Sequence, residues 1–526
     1  MTVGNVRAMK ELIYHRSLLA AADSWTDKPA FIDGSVRRTY GEHTQRVCRL
    51  ANALGSELGV TRDGRFAVLA LNSLPYLELW HAGFLGGGVI NALNLRLAAK
   101  ELEYILQDSA TTVCFVDGFF AGLVDQVRGA TKLEHVVLIG DGDVPHDLKY
   151  EDLVAAGSAA VPSEPEETDP VVLMYTGGTT GLPKGVLLDQ RAEMLNMYHV
   201  AMSFRFDEEY VYLHQTPMFH AASMGGILGI PATGGSSTFV PSFEPGAVMT
   251  AIETHDVTMT VMVPTMIGLM MMHPDYDPKR LQSLEVLTYG ASPMPQAILD
   301  RVLHDLPEVD IYQGYGMTEA SAVLTVLGPK EHRSGGSVLR SAGRAVPGVS
   351  LSIQDEEGNV LPSGQAGEVC ARAGNFMREY WNKPEATAEA FRGGWYHSGD
   401  AGYLDENGYL FLVDRVKDMI VTGGENVYST EVENAIATHP AVAQVAVIGI
   451  PHDVWGEAVH AIVVPRDGHD VDEAAIIDHA RDLIAGYKLP KTVEFRREPL
   501  PLSGAMKVLK KDLRAPYWEG HGRAVN

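Results

Sequence analysis

The stretch Val171–Val186, VVLMYTGGTTGLPKGV, constrains this chain more than any other. Four apolar residues run into Tyr175 as a buried strand would. The chain then turns through Thr176, Gly177, Gly178, Thr179, Thr180 and Gly181 to Pro183 and Lys184. Glycines let several backbone N–H groups converge on one anion, threonine hydroxyls add donors, and a lysine supplies mobile positive charge. That combination cradles phosphate. It is not a Walker A loop, in which Gly-Lys-Ser/Thr opens a helix and the hydroxyl meets a metal. Pro183 before the lysine and Gly185 after it keep a helix from starting there. Val186, Leu187 and Leu188 predict a returning strand, so the loop tips a hairpin. Alone, the same residues also describe a solvent-exposed Gly-Thr turn.

A phosphate ligand must be met locally, because the chain as a whole is acidic: Lys+Arg 42 against Asp+Glu 67 gives −25 over 526 residues. That balance argues against nucleic acid or an anionic membrane as partner. Cys48, Cys114 and Cys370 lie far apart without metal-ligand spacing, which fits a reducing cytoplasm. Lys10, Glu11, His15 and Arg16 interrupt any apolar leader, so no secretory signal is expected. The most apolar segment, Val261–Met272, is too short to span a bilayer and contains Pro264. It predicts a buried wall.

Along the chain, apolar runs at Arg65–Leu71, Thr112–Val116 and Val136–Ile139 alternate with helical stretches, the rhythm of a parallel sheet covered by helices. Asp33-Gly34 predicts a hairpin turn, and Thr39 a cap for a helix over Gly41–Leu58. From about Val346, short strands and turns predict a small β-rich lobe. A boundary falls near Asp414–Lys417. Beyond it come helices at Ser429–Thr438 and Asp472–Gly486, strands near Val442–Ile448 and Ala461–Val464, and a basic tail. The fold class expected is α/β: a large N-terminal domain, 1–415, of stacked α/β sheets plus the small lobe, and a small α+β C-terminal domain, 416–526.

Further constellations carry chemistry. In Ile311–Ser321 (IYQGYGMTEAS), Tyr315 offers a flat face for a purine, Thr318 a donor for a phosphate oxygen, and Glu319 a hard oxygen for Mg²⁺. In Trp395–Gly402 (WYHSGDAG), Asp400 is read as an exposed carboxylate at a strand end, suited to a ribose diol. His397 is read as structural, for no third metal ligand stands near. Around His220, the small residues Ala221, Ala222, Gly225 and Gly226, with Gly290 and Ala291 opposite, predict room for a bulky or extended group. Lys510, Lys511 and Arg514 in the tail are read as a solvated face.

The phrase Tyr175–Gly185 resembles the phosphate-loop signature of the adenylate-forming superfamily, which holds acyl-CoA synthetases, peptide-synthetase adenylation domains and beetle luciferases. It departs at Gly177, where many members carry serine. Tyr315-Gly316-Met317-Thr318-Glu319 is similar to a second signature of that family, and the remaining motifs follow in family order. The resemblance implies that Tyr315 and Gly316 hold adenine, Thr318 the α-phosphate, Glu319 Mg²⁺, Asp400 the ribose, and Arg415 the ribose or phosphate. It makes Lys417 the hinge of a mobile C-terminal domain, Gly423 and Gly424 the channel for a pantetheine arm, and His220 the gate of an acyl pocket. The catalytic lysine aligns with Lys507, preceded by Met506 where the family commonly has glycine.

The activity implied is that of an ATP-dependent carboxylic acid:CoA ligase, with ATP, Mg²⁺, CoA and a small-molecule acid as reactants. An acyl-AMP ligase that loads the phosphopantetheine of a carrier protein is the alternative. A nucleotide-binding regulator without turnover is the non-enzyme alternative, and a homodimer is compatible with either.

Overall fold

The computed structural model describes residues 10–519 except 177–182, 293, 416–417, 423–424, 453–454, 470, 482 and 505. For 414, 415, 421, 425 and 426 it describes the backbone alone. Two large twisted sheets build most of the chain. One runs Glu379–Tyr380, Lys184–Asp189, Pro170–Thr176, Val89–Ala92, Arg65–Leu69, Val113–Asp117, His135–Ile139, Leu148–Lys149. Its strands are parallel except at the first two junctions, where Lys184–Asp189 pairs antiparallel with both neighbours. The apolar run Val171–Met174 is buried, as its composition requires, and the hairpin closes with Thr176 opposite Lys184.

The second sheet runs Arg344–Ala345, Thr325–Leu327, Asp310–Tyr315, Val286–Gly290, Met259–Met262, Val211–His214, Ser236–Phe239, Pro29–Asp33, Val36–Thr39. Helices Tyr14–Ser24, Tyr40–Ser56 and Leu74–Ala82 supply the main core, with Trp80, Tyr40, Phe66 and Phe84 fully buried. Thr39 caps its helix in a reciprocal box with Glu42. Pro264 sits in the first turn of helix Pro264–Met272, where its missing N–H costs nothing. A small antiparallel sheet, Ser350–Gln354, Gly367–Arg372, Tyr396–Leu404 and Leu410–Arg415, follows.

Residues 420–519 carry a separate sheet, in which Val442–His452 and Gly456–Pro465 form a long hairpin and Thr492–Phe495 joins in parallel. The helix expected to reach Gly486 is shorter, Glu473–Arg481. Gly486–Lys488 forms a separate 3-10 turn, after which the chain lays Thr492–Phe495 beside Gly456–Pro465. The basic tail also differs from expectation. Lys510 pairs with Glu433 (2.7 Å) and donates to Ser429 Oγ (2.6 Å), and Arg514 pairs with Asp418 (3.2 Å). Both are largely buried; only Lys511 lies on a solvated face. Among the described residues, no helix is long and apolar enough to cross a membrane.

Histidines thread the main core. His43 Nε2 meets His81 Nδ1 (2.8 Å), and His81 Nε2 lies 2.8 Å from the Ile227 carbonyl. Burial lowers His81 to about 4 and His214 to about 3. Each is neutral when folded and titrates near the ordinary 6.5 once exposed, so unfolding takes up protons below that pH. The stabilisation is therefore present above about pH 6.5 and is lost as pH falls toward 4. Between pH 7 and 5 the loss should be about 2 kcal/mol for each of these two histidines. Thermal melts across that range check it; a constant Tm would contradict it.

Candidate active site

The C-terminal strand ends of both large sheets, the small sheet and the 420–519 module enclose one cleft of about 2250 Å³. Thr176, Lys184, Tyr315, Gly316, Thr318, Glu319 and Asp400 all line it, as do His220, Ala221, Gly290, Ala291 and Lys507. Gly177, Gly178, Thr179, Thr180 and Gly181 lie outside the described residues, as do Lys417, Gly423 and Gly424 and the side chain of Arg415.

At one end of the cleft, Tyr315 closes strand Asp310–Tyr315 and its hydroxyl donates to Asp400 Oδ2 (2.7 Å). A side chain at Gly316 is impossible, since its Cβ would come within 1.8 Å of the Ala322 carbonyl oxygen. Asp400 is neither exposed nor at a strand end. It lies within Tyr396–Leu404, half-buried. The preceding Gly399, at φ 70°, lets the strand swing the carboxylate round, a move that alternation alone does not reveal.

That turn is pinned. Gly399 N–H donates to Glu368 Oε1 (3.0 Å), Asp400 N–H to Ser398 Oγ (3.0 Å), and Ser398 Oγ to the Val369 carbonyl (2.6 Å). His397 Nδ1 lies 2.8 Å from Glu368 Oε2 and 3.3 Å from Cys370 Sγ. Glu368, Cys370 and His397 thus cluster tightly, but the Arg392 guanidinium already sits on the carboxylate at 2.7 Å. The cluster is matched in charge from within and braces the turn.

At the hairpin, Tyr380 joins two groups far apart in sequence. Its hydroxyl donates to Glu319 Oε1 (2.8 Å), and Lys184 Nζ lies 4.7 Å from its ring centroid. Edge strand Glu379–Tyr380 pairs with Lys184–Asp189, Tyr380 opposite Val186. Nothing local in the sequence singles out Tyr380, because its partners come from strand pairing. Gln313 also lines the cleft, two residues before Tyr315 on the same strand face, with its Oε1 3.1 Å from the Tyr289 hydroxyl. Period-two spacing from Tyr315 could have found it.

The other end of the cleft is apolar. Val200 and Phe204 from helix Gln190–Phe204, with Phe206, Tyr212, Phe219, Met259 and Val261, face Ala222, Gly225 and Gly226. The glycines serve close packing more than empty space. A Cβ on Gly226 would lie 2.3 Å from the Tyr212 ring, one on Gly225 2.7 Å from Val200, and one on Gly290 2.4 Å from the Gly314 carbonyl oxygen. Thr288 pairs with Val261 across neighbouring strands; it is 4% exposed and its hydroxyl has no hydrogen-bond partner among the described residues.

His220 stands where the two ends meet, its Nδ1 accepting the Ala222 N–H (3.2 Å). Burial first, and the charge of Lys507 second, lower it to about 3, so the imidazole is neutral at physiological pH. Lys507 enters on a tight loop in which Ser503 N–H donates to the Lys507 carbonyl (2.7 Å) and Lys507 N–H to Ser503 Oγ (3.1 Å). Met506, just before it, takes the left-handed φ of 61°. Two lysines, a hydrogen-bonded tyrosine–carboxylate pair and an apolar pocket thus converge on one space.

Residues 18–381 match the AMP-binding enzyme family, and 431–507 the AMP-binding enzyme C-terminal domain. A feruloyl-CoA synthase from Amycolatopsis sp is 37% identical over 486 residues, covering 92% of this chain and 95% of that protein. A fatty acid–[acyl-carrier-protein] ligase, ScoC of Streptomyces coeruleorubidus, is 34% identical over 95% of both chains. Among solved structures, the anthranilate CoA ligase AuaEII in complex with anthranoyl-AMP superposes with a TM-score of 0.88 at 26% identity, covering 98% of this chain and 99% of that one.

Proposed function

The chain belongs to the AMP-binding enzyme family, and we propose that the acid it activates is aromatic and carries a polar ring substituent. Its reaction is the ATP-dependent ligation of a carboxylic acid to CoA through an acyl-adenylate. The carboxylate attacks the α-phosphorus of ATP, a P–O bond forms and pyrophosphate leaves. The CoA thiol then attacks the acyl carbonyl, a C–S bond forms and AMP leaves.

The observation that carries the aromatic assignment is the apolar end of the cleft. Phe204, Phe206, Tyr212 and Phe219 supply flat walls, and the buried, unpartnered Thr288 hydroxyl lies on the same sheet face as Val261. A buried hydroxyl without a partner is costly, and a substituent such as a phenolic hydroxyl would satisfy it. The names of two relatives, acting on feruloyl and anthranoyl groups, agree in kind.

In this reading Asp400 accepts the ribose hydroxyls, Tyr315 stacks on adenine, Thr318 donates to the α-phosphate, and Lys184 and Lys507 neutralise charge developing on the phosphates. Glu319 suits a Mg²⁺ ion: a hard carboxylate held by Tyr380 through one oxygen, beside the phosphate-directed lysine. The ion would offset phosphate charge. Residues 416–526 swing about Lys417 between half-reactions, withdrawing Lys507 and presenting Gly423 and Gly424 to the thiol. Buried free thiols at Cys48, Cys114 and Cys370 suit a reducing cytoplasm.

A panel tests this: ferulate, 4-hydroxybenzoate, cinnamate, benzoate and decanoate, scored by pyrophosphate release with and without CoA. Hydroxylated aromatic acids should lead by about tenfold, one hydrogen bond's worth, and Thr288→Val should erase that lead. Preference for decanoate would overturn the aromatic assignment. Thioester formed only on a carrier-protein phosphopantetheine would favour the acyl-AMP ligase.

A further inference from the structure

The loop that carries Lys507 does not reach the cleft unaided. Arg96, on the segment between strand Val89–Ala92 and helix Ala99–Asp108, donates from Nη1 to the Leu502 carbonyl (2.8 Å). Its Nη2 lies 3.8 Å from Met506 Sδ. Asn94 prepares that arginine, since Asn94 Oδ1 accepts the Arg96 N–H (3.0 Å) and so closes a turn. Gly504 lies against the same asparagine so closely that an added Cβ would stand 2.2 Å from Asn94 Oδ1. Met506 packs its side chain against a core cluster of the large domain that includes Met266, Tyr289 and Leu299.

Met506 holds a backbone conformation that glycine adopts at less cost, yet it is a long apolar residue. Its contacts offer the compensation: a thioether against a guanidinium on one side and apolar packing on the other. These contacts join residues 94–96 to residues 502–506, more than 400 positions apart. They are made with Lys507 in the cleft.

We propose that Asn94, Arg96 and Met506 form a latch that docks the lysine loop for adenylate formation. They are positioning residues, acting on the chemistry only through Lys507. The inference rests on the reading above, in which Lys507 serves the first half-reaction. A latch that holds only that arrangement should matter for making the adenylate and not for consuming it.

The test separates the half-reactions in the full-length protein. ATP–pyrophosphate exchange with ferulate, or with the most active acid of the panel, reports the first. Thioester formation from pre-made acyl-AMP and CoA reports the second. Arg96 is exposed, so Arg96→Ala should fold normally, lower exchange by about tenfold and leave thioester formation unchanged. Met506→Gly should lower exchange about threefold to tenfold, while Met506→Leu, which keeps the packing, should retain most of it. Equal losses in both half-reactions, or exchange unaffected in Arg96→Ala and Met506→Gly alike, would overturn the latch. Wild-type protein without exchange on any acid would instead overturn the assigned function.

Discussion

Replacing Lys507 with alanine should suppress ATP–pyrophosphate exchange by about 10²–10³-fold, the cost of losing one preorganised charge aimed at a transition state. Thioester formation from pre-made acyl-adenylate should stay within about threefold of wild type, because in the proposed alternation Lys507 is withdrawn from the cleft before the thiol attacks. Three observations support so large and so one-sided an effect. Lys507 lines the cleft together with Tyr315, Glu319 and Asp400. Its charge is felt by His220 at the mouth of the apolar pocket. Its loop is held by Ser503 from within and by Arg96 of the large domain at Leu502. Lys507→Arg should restore little, since a planar fork does not replace a compact ammonium. An equal fall in both half-reactions would remove the lysine from its assigned role.

Asp400→Ala carries the second large effect. The carboxylate accepts the Tyr315 hydroxyl, and its turn is held by Ser398 and Glu368. Removing it should raise the KM for ATP by about 10- to 100-fold, the range for hydrogen bonds to a charged group. The KM for the acid should hardly move. Tyr315→Phe keeps the flat ring and removes the hydroxyl that donates to Asp400, so its effect should be about tenfold smaller. Initial rates at varied ATP check both. A Tyr315→Phe enzyme as impaired as Asp400→Ala would mean that the pair acts as a hydrogen-bonded unit and not through the ribose.

Much of this site can be read from the chain because its motifs are local. The strand-turn-strand around Lys184 needs only an apolar run, glycines and a proline to declare itself, and the hairpin forms as expected with Thr176 opposite Lys184. Tyr315, Thr318 and Glu319 sit within one short segment and all face the cleft. What stays hidden is created by pairing between distant segments. Tyr380 touches Glu319 and Lys184 only because a two-residue edge strand docks on the hairpin. Arg96 meets Leu502 only once the last module has folded against the first sheet.

Burial misleads in the same way. Asp400 has glycine neighbours and reads as an exposed turn, but adjacent strands enclose it. Lys510 and Arg514 belong to a basic run that reads as wet, but acidic residues earlier in the same module claim them. The glycines around Gly226 read as empty volume, but Tyr212 and Val200 already fill it.

The ties made by Lys510 and Arg514 have a mechanical consequence. They fasten the tail to helix Ser429–Ala437 and to Asp418, so the arm bearing the Lys507 ammonium and the segment around Asp418 are bolted to one frame. In the proposed swing, the spacing between the lysine loop and that segment stays fixed, so that leaving one posture is the same act as approaching the other. Loosening the bolts, as in Lys510→Ala, should blur that exchange and slow turnover more than either half-step alone.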